Sequence, residues 1–375
     1  MYAERQKKVY TYLDEKEIDL FILQDFERKR NASLSYLTGM PGDAMLFIFR
    51  KGKTILVPWD VLMAEKRASA DAVTPYTSFG RIAGRAVKEI LARENLNKGR
   101  VELTAAMTYP EAFTIMKENP EISFICRENG TDEDILLMRA VKDTKELENY
   151  REAAGITNRI IEDLIIQIKK NSITTEADIA LHIERVSREL GCEGTGFETL
   201  AAGPERSFGI HAVPAYSGAS IVKDGFTIVD FGVNLRGYTT DVTLTFVRGE
   251  TTELQETMIR NVEDAYSLAS GKLVPGARVA ELSEAVDDFF KERGFSMPHA
   301  LGHGIGLEAH ETPVLKSTTS EEAVLKPGMV IAVEPGLYDK NAGGIRLEND
   351  FLITEKGAEA LTTSRIVRIP GREEK

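Results

Sequence analysis

Short apolar runs and amphipathic stretches alternate over the first 130 residues. Apolar residues recur at helical spacing over 80–94 and 110–117, which predicts helices. The stretch at 31–39 is rich in small polar residues and predicts a loop. Alternation of strands with helices indicates a layered α/β domain, with packing and assembly as its expected roles. The strands are predicted at 19–23, 44–49, 54–57, 100–103 and 122–126.

Four amphipathic helices are predicted beyond residue 143. The first begins at a capping-box pattern formed by Asp143 and Glu146. The polar stretch before it, 131–143, is predicted as a linker between a domain at 1–130 and a domain at 144–375. Most segments between the later helices are β-rich, so the chain is assigned to the α/β (α+β) class. The other three helices are predicted at 175–190, 253–270 and 279–293.

The first predicted hairpin of the C-terminal domain carries two aspartates. Its strands flank a turn at 234–237, and with Leu235 and Arg236 at the tip, Asp230 lies opposite Asp241. Facing carboxylates repel each other. If both are buried, either one pKa rises and a proton is shared, or a cation lies between them. A metal ion is the simpler hypothesis.

A second predicted hairpin repeats this arrangement. With its loop centred on Asn341, Glu334 lies opposite Glu348. Arg346 shares a face with Glu348, so we expect it to bind an anion or to orient a carboxylate. Thr243 shares a face with the first hairpin's acids and is expected to hydrogen-bond to a metal ligand.

A histidine completes this acidic set. His303 lies in a glycine-rich stretch, in which Gly302, Gly304 and Gly306 are expected to allow close backbone approach. Four converging carboxylates need about +4 of compensating charge, which two divalent cations supply. Hard oxygen ligands favour Mn²⁺ or Co²⁺, with Fe²⁺ or Zn²⁺ also possible. Such a pair can hold a bridging hydroxide, so hydrolysis is the expected chemistry. The candidate ligands are Asp230, Asp241, His303, Glu334 and Glu348.

Charge and motifs exclude several other functions. A formal net charge of −12 and a pI near 5.2 argue against nucleic acid and anionic membranes as partners. The chain has no long apolar segment and no secretory pattern at its start, so a cytoplasmic location is expected. The glycines around His303 fit neither a dinucleotide nor a phosphate loop, and Val314 and Pro313 rule out a zincin helix. No serine or cysteine motif for covalent catalysis is present.

The ordered set Asp, Asp, His, Glu, Glu resembles that of the pita-bread metallopeptidases, which include prolidase, aminopeptidase P and methionine aminopeptidase. The resemblance implies a creatinase-type domain at 1–130 and a pita-bread catalytic domain at 144–375, with a curved antiparallel sheet flanked by helices. It implies that Asp230 binds one metal, that Asp241 and Glu348 bridge both, and that His303 and Glu334 complete the second. Glu334 is also expected to shuttle a proton. The residues implied to contact substrate or to stabilise the oxyanion are His211, His299 and His310.

The N-terminal domain and Arg346 resemble the proline-directed branch of this family, with Arg346 expected at the substrate site. The expected substrate is a small peptide with proline in the second position, cut at the Xaa-Pro bond by a prolidase-like dipeptidase. An Xaa-Pro aminopeptidase acting on longer peptides is the main alternative. A metal-free creatinase-like hydrolase and a non-catalytic peptide-binding relative are two further ones. The family also suggests a homodimer.

Overall fold

The chain forms two compact units, Met1–Arg139 and Ala140–Lys375. A computed structural model describes residues 1–27 and 29–371. The segment 131–143, expected to be a linker, contains the helix Thr131–Ala140, whose end coincides with the division between the units. Within the described residues, no helix has the length and apolar content needed to cross a membrane.

The N-terminal unit is built on a six-stranded mixed sheet in the order β4-β3-β2-β1-β5-β6. The strands β1, β2 and β3 pair in antiparallel fashion, whereas β5 and β6 extend the sheet in parallel. Strands predicted at 44–49 and 100–103 are found with the same bounds. The strands are β1 (Leu20–Asp25), β2 (Ala44–Phe49), β3 (Lys53–Pro58), β4 (Ala72–Val73), β5 (Arg100–Leu103) and β6 (Ser123–Ile125).

Helices cover this sheet, and one of them corrects a prediction. The stretch 31–39 is a helix rather than a loop: Asn31 accepts a hydrogen bond from the backbone N–H of Ser33 at 3.1 Å, and Gly39 ends the helix at a positive φ of 77°. A 3₁₀ turn covers Tyr76–Phe79. The helices are α1 (Tyr2–Glu15), α2 (Ala32–Thr38), α3 (Val61–Arg67), α4 (Ala83–Arg93), α5 (Tyr109–Glu118) and α6 (Thr131–Ala140).

The C-terminal unit places four helices against mainly antiparallel sheets. The helices are α7 (Thr144–Lys169), α8 (Glu176–Glu189), α9 (Glu253–Gly271) and α10 (Val279–Glu292), close to the predicted ranges. The capping box of Asp143 and Glu146 is present in both directions. The α/β (α+β) assignment is therefore confirmed.

Four sheets make up the β-structure described for this unit, in the orders β11-β10-β7, β20-β12-β9-β8, β14-β13-β15-β18-β19 and β16-β17. The strands from β7 to β12 are β7 (Gly194–Thr195), β8 (Leu200–Ala202), β9 (Gly225–Phe231), β10 (Val233–Leu235), β11 (Tyr238–Thr239) and β12 (Val242–Arg248). Those from β13 to β16 are β13 (Gly302–Gly304), β14 (Glu311–Leu315), β15 (Val330–Val333) and β16 (Gly336–Asp339). The last four are β17 (Gly343–Arg346), β18 (Asn349–Thr354), β19 (Gly357–Ala360) and β20 (Ile366–Ile369).

Two large apolar cores, with smaller clusters beside them, hold the sheets and helices of this unit together. Buried isoleucines of α7 and α8 pack against β9 and β12, whose contributions include Val229, Phe231, Val242 and Leu244. The helices α9 and α10 pack against β15 and β18 in a second core. Because side chains alternate along a strand, the residues between these apolar positions point to the opposite face of each sheet. That opposite face carries the acidic residues.

Candidate metal centre

A cavity of about 750 Å³ lies in the C-terminal unit. Its volume falls in the range typical of small-molecule sites. All five predicted metal ligands line it, together with the three predicted substrate histidines and Arg346. These residues are Asp230, Asp241, His303, Glu334, Glu348, His211, His299, His310 and Arg346.

The first hairpin has a different register from the predicted one. Leu235 pairs with Tyr238, so the tip is Arg236 and Gly237, both with positive φ. This two-residue turn moves the partner of Asp230 from Asp241 to Thr243, and the predicted direct pairing is wrong. A shift of two residues keeps each side chain on its face, and Asp241 therefore still lines the cavity with Asp230.

The second hairpin has the predicted register. Val333 pairs with Asn349 and Gly336 with Arg346, which places Glu334 across from Glu348 between the two ladders. The ladder is interrupted there because the backbone N–H of Glu348 donates to the carbonyl of Thr243 at 3.1 Å. This bond ties the second hairpin to β12 of the first.

The imidazole of His303 approaches the acids through one defined nitrogen. Its Nδ1 lies 3.1 Å from the carbonyl of Gly304, which can only accept, so Nδ1 carries the proton and Nε2 is free to bind a cation. Nε2 lies 3.6 Å from Glu334 Oε1 and 3.8 Å from Asp241 Oδ2. Ligand atoms of Asp241, His303 and Glu348 fall within 4.8 Å of one another.

The glycines that flank His303 allow this strand to lie deep in the sheet. A Cβ atom at Gly302 would lie 2.0 Å from the carbonyl oxygen of Ala332, and one at Gly304 would lie 2.2 Å from that of Thr312. Any side chain at either position would therefore clash with backbone. The glycine pattern reflects close strand packing, as expected from the sequence.

The electrostatics of the acids are those of a cation site. Burial and the neighbouring carboxylates raise the pKa of Asp241 and of Glu348 well above the usual range. Burial raises the pKa of Glu334 to about 7, and Asp230 adds to the shift. Burial lowers the pKa of His303 to about 4, which keeps the imidazole neutral. Bound cations favour the ionised acids and the neutral imidazole.

An unpartnered oxygen gives a direct test of whether a metal fits. Asp230 Oδ1 is buried without a hydrogen-bond partner, whereas Asp230 Oδ2 accepts a bond from Arg346 at 2.6 Å. A buried carboxylate oxygen without a partner is costly. A cation bound at Oδ1 satisfies it, so the residues present fit a divalent metal.

Arg346 is engaged by protein groups rather than open to substrate. Besides Asp230, its guanidinium donates to Thr243 Oγ1 at 2.9 Å, to the Tyr338 hydroxyl at 2.9 Å and to the carbonyl of Ile210 at 3.2 Å. Of its two expected roles, this geometry supports orienting a carboxylate and argues against direct substrate binding. Thr243 in turn donates to Glu348 Oε2 at 2.7 Å, so one chain of bonds links both hairpins.

The three other cavity histidines surround this acidic group. The ring of His310 lies 4.3 Å from that of His303, centroid to centroid. His299 Nδ1 lies 3.8 Å from Glu334 Oε2, and burial lowers the pKa of His299 to about 4. His211 lies exposed on the loop between β8 and β9. The remaining histidine, His182, contacts Asp163 away from the cavity, at 2.7 Å.

Sequence reasoning missed two residues that support the site. Asp350 Oδ2 accepts bonds from the Tyr150 hydroxyl at 2.8 Å and from the backbone N–H of Asp241 at 3.0 Å. Its position two residues after Glu348 placed it on the same strand face, a signal that was available. Tyr338, which receives a bond from Arg346, pairs with Gly344 in the same hairpin and so lies diagonal to Arg346 on one face, a signal that the predicted register also offered.

Comparison with protein families supports this interpretation. Residues 148–355 match Metallopeptidase family M24, and residues 5–129 match the Creatinase/Prolidase N-terminal domain. Among curated proteins, an Xaa-Pro dipeptidase of Pyrococcus furiosus is 30% identical over 363 residues, 96% of this chain and 97% of that protein. An uncharacterized peptidase of Staphylococcus haemolyticus is 34% identical over 233 residues, which span 62% of this chain and 65% of that protein.

Solved structures agree with the family match. An Xaa-Pro dipeptidase from Bacillus anthracis superposes with a TM-score of 0.85 at 25% identity, over 99% of this chain and 100% of that one. An X-Pro aminopeptidase from Thermotoga maritima gives a TM-score of 0.82 at 25% identity, over 97% of this chain and 99% of that one. The resemblance to the pita-bread metallopeptidases is thereby confirmed. The chain belongs to metallopeptidase family M24 and carries an N-terminal domain of the creatinase/prolidase type.

Proposed function

We propose that the protein is an Xaa-Pro dipeptidase that uses two divalent cations. The observation that carries this proposal is the meeting of four buried or half-buried carboxylates and one neutral imidazole in a cavity sized for a small peptide. Two of the relatives compared above bear the name Xaa-Pro dipeptidase, which supports the substrate class.

In this proposal, Asp230 would hold one cation, His303 and Glu334 would hold the other, and Asp241 and Glu348 would contribute ligands to both. Oxygen-rich ligands favour Mn²⁺ or Co²⁺, with Fe²⁺ or Zn²⁺ as alternatives. Bound cations of this kind polarise a carbonyl and lower the pKa of water.

The remaining steps fall to the protein's own side chains. Glu334 takes a proton from the attacking water on a carboxylate oxygen and returns it to the proline nitrogen as the peptide bond breaks. His310, beside His303, donates to the developing oxyanion, and His211 and His299 contact the substrate. Proline at the second position gives a tertiary amide without an N–H, a shape that a constrained cavity can select.

Hydrolysis of longer Xaa-Pro peptides is the second candidate. The likeness to the X-Pro aminopeptidase of Thermotoga maritima covers nearly all of both chains, at the same level of identity as the likeness to the dipeptidase structure. Fold similarity alone therefore does not favour one of these substrate lengths over the other.

The experiment combines metal analysis with peptide assays. Purified protein is loaded with Mn²⁺ or Co²⁺ and assayed with Ala-Pro, Ala-Pro-Ala, Ala-Ala and creatine. Two bound metals and preferential turnover of Ala-Pro support the proposal. Turnover of creatine without metal indicates a creatinase-like hydrolase, and binding of Ala-Pro without turnover indicates a non-catalytic relative. Failure to cut either proline peptide with metal supplied refutes the peptidase proposal.

Two further sequence-based expectations remain predictions. A homodimer is expected, and a sedimentation measurement that finds only monomer at micromolar concentration contradicts it. A cytoplasmic location is expected, and cell fractionation that finds the protein elsewhere contradicts it.

A further inference from the structure

A further cavity, of about 460 Å³, lies in the N-terminal unit. All of its lining residues belong to Met1–Arg139, so the cavity is formed by this unit alone. Its volume falls in the range typical of small-molecule sites, and the proposed peptide hydrolysis makes no use of it.

The cavity lies at one edge of the six-stranded sheet. The strands β1 and β3 both pair with β2 in antiparallel fashion, so they run in the same direction and end at the same edge. Gln24 is the last residue but one of β1, and Trp59 directly follows β3. The carbonyl of Asp43, just before β2, accepts the backbone N–H of Trp59 at 2.8 Å. In open α/β sheets, ligands commonly bind beyond the carboxyl ends of the strands.

A buried amide in the cavity wall has an unused acceptor. Gln24 is 5% exposed, and its Oε1 has no hydrogen-bond partner among residues 1–27 and 29–371. Its side chain shares a strand face with Leu20 and Ile22 of the apolar core, at the point where the core ends and the cavity begins. A buried carbonyl oxygen without a partner is costly, so the wall favours a ligand that brings an N–H donor.

Aromatic rings form the apolar part of the wall. The ring of Tyr76 is stacked on that of Phe26 at a centroid distance of 5.6 Å and lies 5.8 Å from that of Trp59. Tyr76 is buried, whereas Trp59 is 52% exposed. The indole of Trp59 is therefore open to an apolar group of a ligand.

Two of the carboxylates in the lining are already neutralised. Asp43 pairs with Arg30 at 3.1 Å, and Glu111 pairs with Lys29 at 2.9 Å. These two acids therefore leave little net charge for a ligand to meet.

The other two charged residues of the lining, Glu27 and Arg81, are exposed. In the part of the chain that the structure describes, neither of them forms an ion pair. The guanidinium carbon of Arg81 lies 5.1 Å from the centre of the Trp59 ring. One open anion and one open cation beside an aromatic wall match a small zwitterion with an apolar body.

We propose that this cavity binds a free amino acid with an apolar side chain. The ammonium of the amino acid donates to Gln24 Oε1 and faces Glu27, its carboxylate binds Arg81, and its side chain packs against Trp59. This binding requires neither a metal nor peptide hydrolysis, so it goes beyond the proposed function and does not depend on it.

Tryptophan fluorescence of the full-length protein tests the site. Trp59 is the single tryptophan of the chain, so its emission reports on this cavity. L-leucine is expected to change the emission in a saturable way, with a Kd of about 1 mM or lower. L-leucinamide lacks the carboxylate and N-acetyl-L-leucine lacks the ammonium, so each is expected to bind about tenfold more weakly. Calorimetric titration with L-leucine measures the same Kd without the fluorophore.

Two variants separate the contacts. Gln24→Met keeps the size of the side chain and removes the acceptor, so L-leucine binds about tenfold more weakly while the Tm does not fall. Arg81→Met weakens L-leucine by a similar factor and leaves L-leucinamide unchanged. The control is Arg85→Met, which removes an exposed arginine that pairs with Glu89 outside the cavity lining and is expected to change neither affinity.

Several results overturn the proposal. They are the absence of saturation by about 10 mM L-leucine, equal affinity for L-leucine and its two derivatives, and unchanged binding in both Gln24→Met and Arg81→Met. Binding that is lost in Asp241→Asn and kept in Gln24→Met places the amino acid at the metal centre and also overturns it. Ala-Pro hydrolysis by the wild type is assayed separately, so failure of this site and failure of the proposed function are distinguishable.

Discussion

Glu176, at the start of α8, organises the loop that carries His211. Its carboxylate is fully buried. It accepts bonds from the backbone N–H of Gly203 at 2.8 Å, from the backbone N–H of Ser217 at 2.8 Å and from the Ser217 hydroxyl at 2.6 Å, and it also contacts the guanidinium of Arg206. These partners hold the two ends of the segment 203–217 at one point.

The substitution Glu176→Gln keeps the shape and removes the charge. Oε1 accepts one of these bonds and Oε2 accepts the other three. In glutamine, an amide nitrogen at the Oε2 position faces three donors and cannot accept a hydrogen bond from any of them. Leaving a backbone N–H and the partly buried guanidinium of Arg206 without their acceptor costs about 2 to 3 kcal/mol in the free energy of unfolding. A domain with about 5 to 15 kcal/mol of stability still folds after this loss.

The loss of these hydrogen bonds is expected to affect the active site because residues 210–215 of this loop line the cavity. Urea unfolding of Glu176→Gln, followed by circular dichroism, measures the free energy, and Ala-Pro kinetics measure KM. We expect a rise in KM of about tenfold with intact metal content, since the five proposed ligands lie outside the loop.

The matched control lies on the same helix. Glu189 forms an exposed pair with Arg185 at 2.8 Å, so Glu189→Gln is expected to cost no more than about 0.5 kcal/mol. If Glu176→Gln costs as little as this control, the carboxylate does not hold the loop. If stability falls and KM is unchanged, the bonds matter for folding and not for positioning His211.

Three further predictions concern Arg346, the metals and Cys192. Arg346→Met removes the cation that holds Asp230 and Thr243, so kcat/KM for Ala-Pro falls about a hundredfold; an unchanged kcat/KM would contradict its orienting role. Mn²⁺ at about 100 times its Kd stabilises the wild type by about 2.7 kcal/mol in thermal unfolding, and Asp241→Asn abolishes most of this gain; an equal gain in both places the metal elsewhere. Burial raises the pKa of Cys192 to about 11, so iodoacetamide at pH 8 is expected to modify it only after denaturation, and mass spectrometry of native protein checks this.

Local signals explain which parts of the fold were predictable. The helix after Asp143 begins where its capping box places it, because the reciprocal bonds with Glu146 involve residues three apart. The helix at 32–38 was missed, although Asn31 and Gly39 were visible as caps, because its short, serine-rich sequence has low helix propensity. Its buried leucine and tyrosine side chains stabilise it through tertiary contacts.

The register of a hairpin could be predicted only where the length of its loop could be predicted. The loop centred on Asn341 was assigned correctly, and Glu334 lies across from Glu348 as a result. In the first hairpin, the predicted pairing partner of Asp230 was wrong by two residues because Arg236 adopts a positive φ beside Gly237. The side chain of Asn234 accepts the backbone N–H of Gly237 at 3.1 Å. A non-glycine residue seldom adopts that conformation, and no pattern in the strands indicated it.

The cavity-lining acids were predictable despite this error because the face of a strand is a more robust property than its partner. A shift of two residues changes the opposing residue but preserves which side chains are buried among apolar neighbours and which are not. Asp230 lies between Val229 and Phe231, both in the apolar core, so any register consistent with that core places its carboxylate on the other face. What this argument does not supply is the tertiary partner. Arg346 was assigned to the right face, but its bonds to Asp230 and Thr243 arise because its two-stranded sheet meets the sheet of β9 and β12. These bonds distinguish a residue that orients a carboxylate from one that binds substrate.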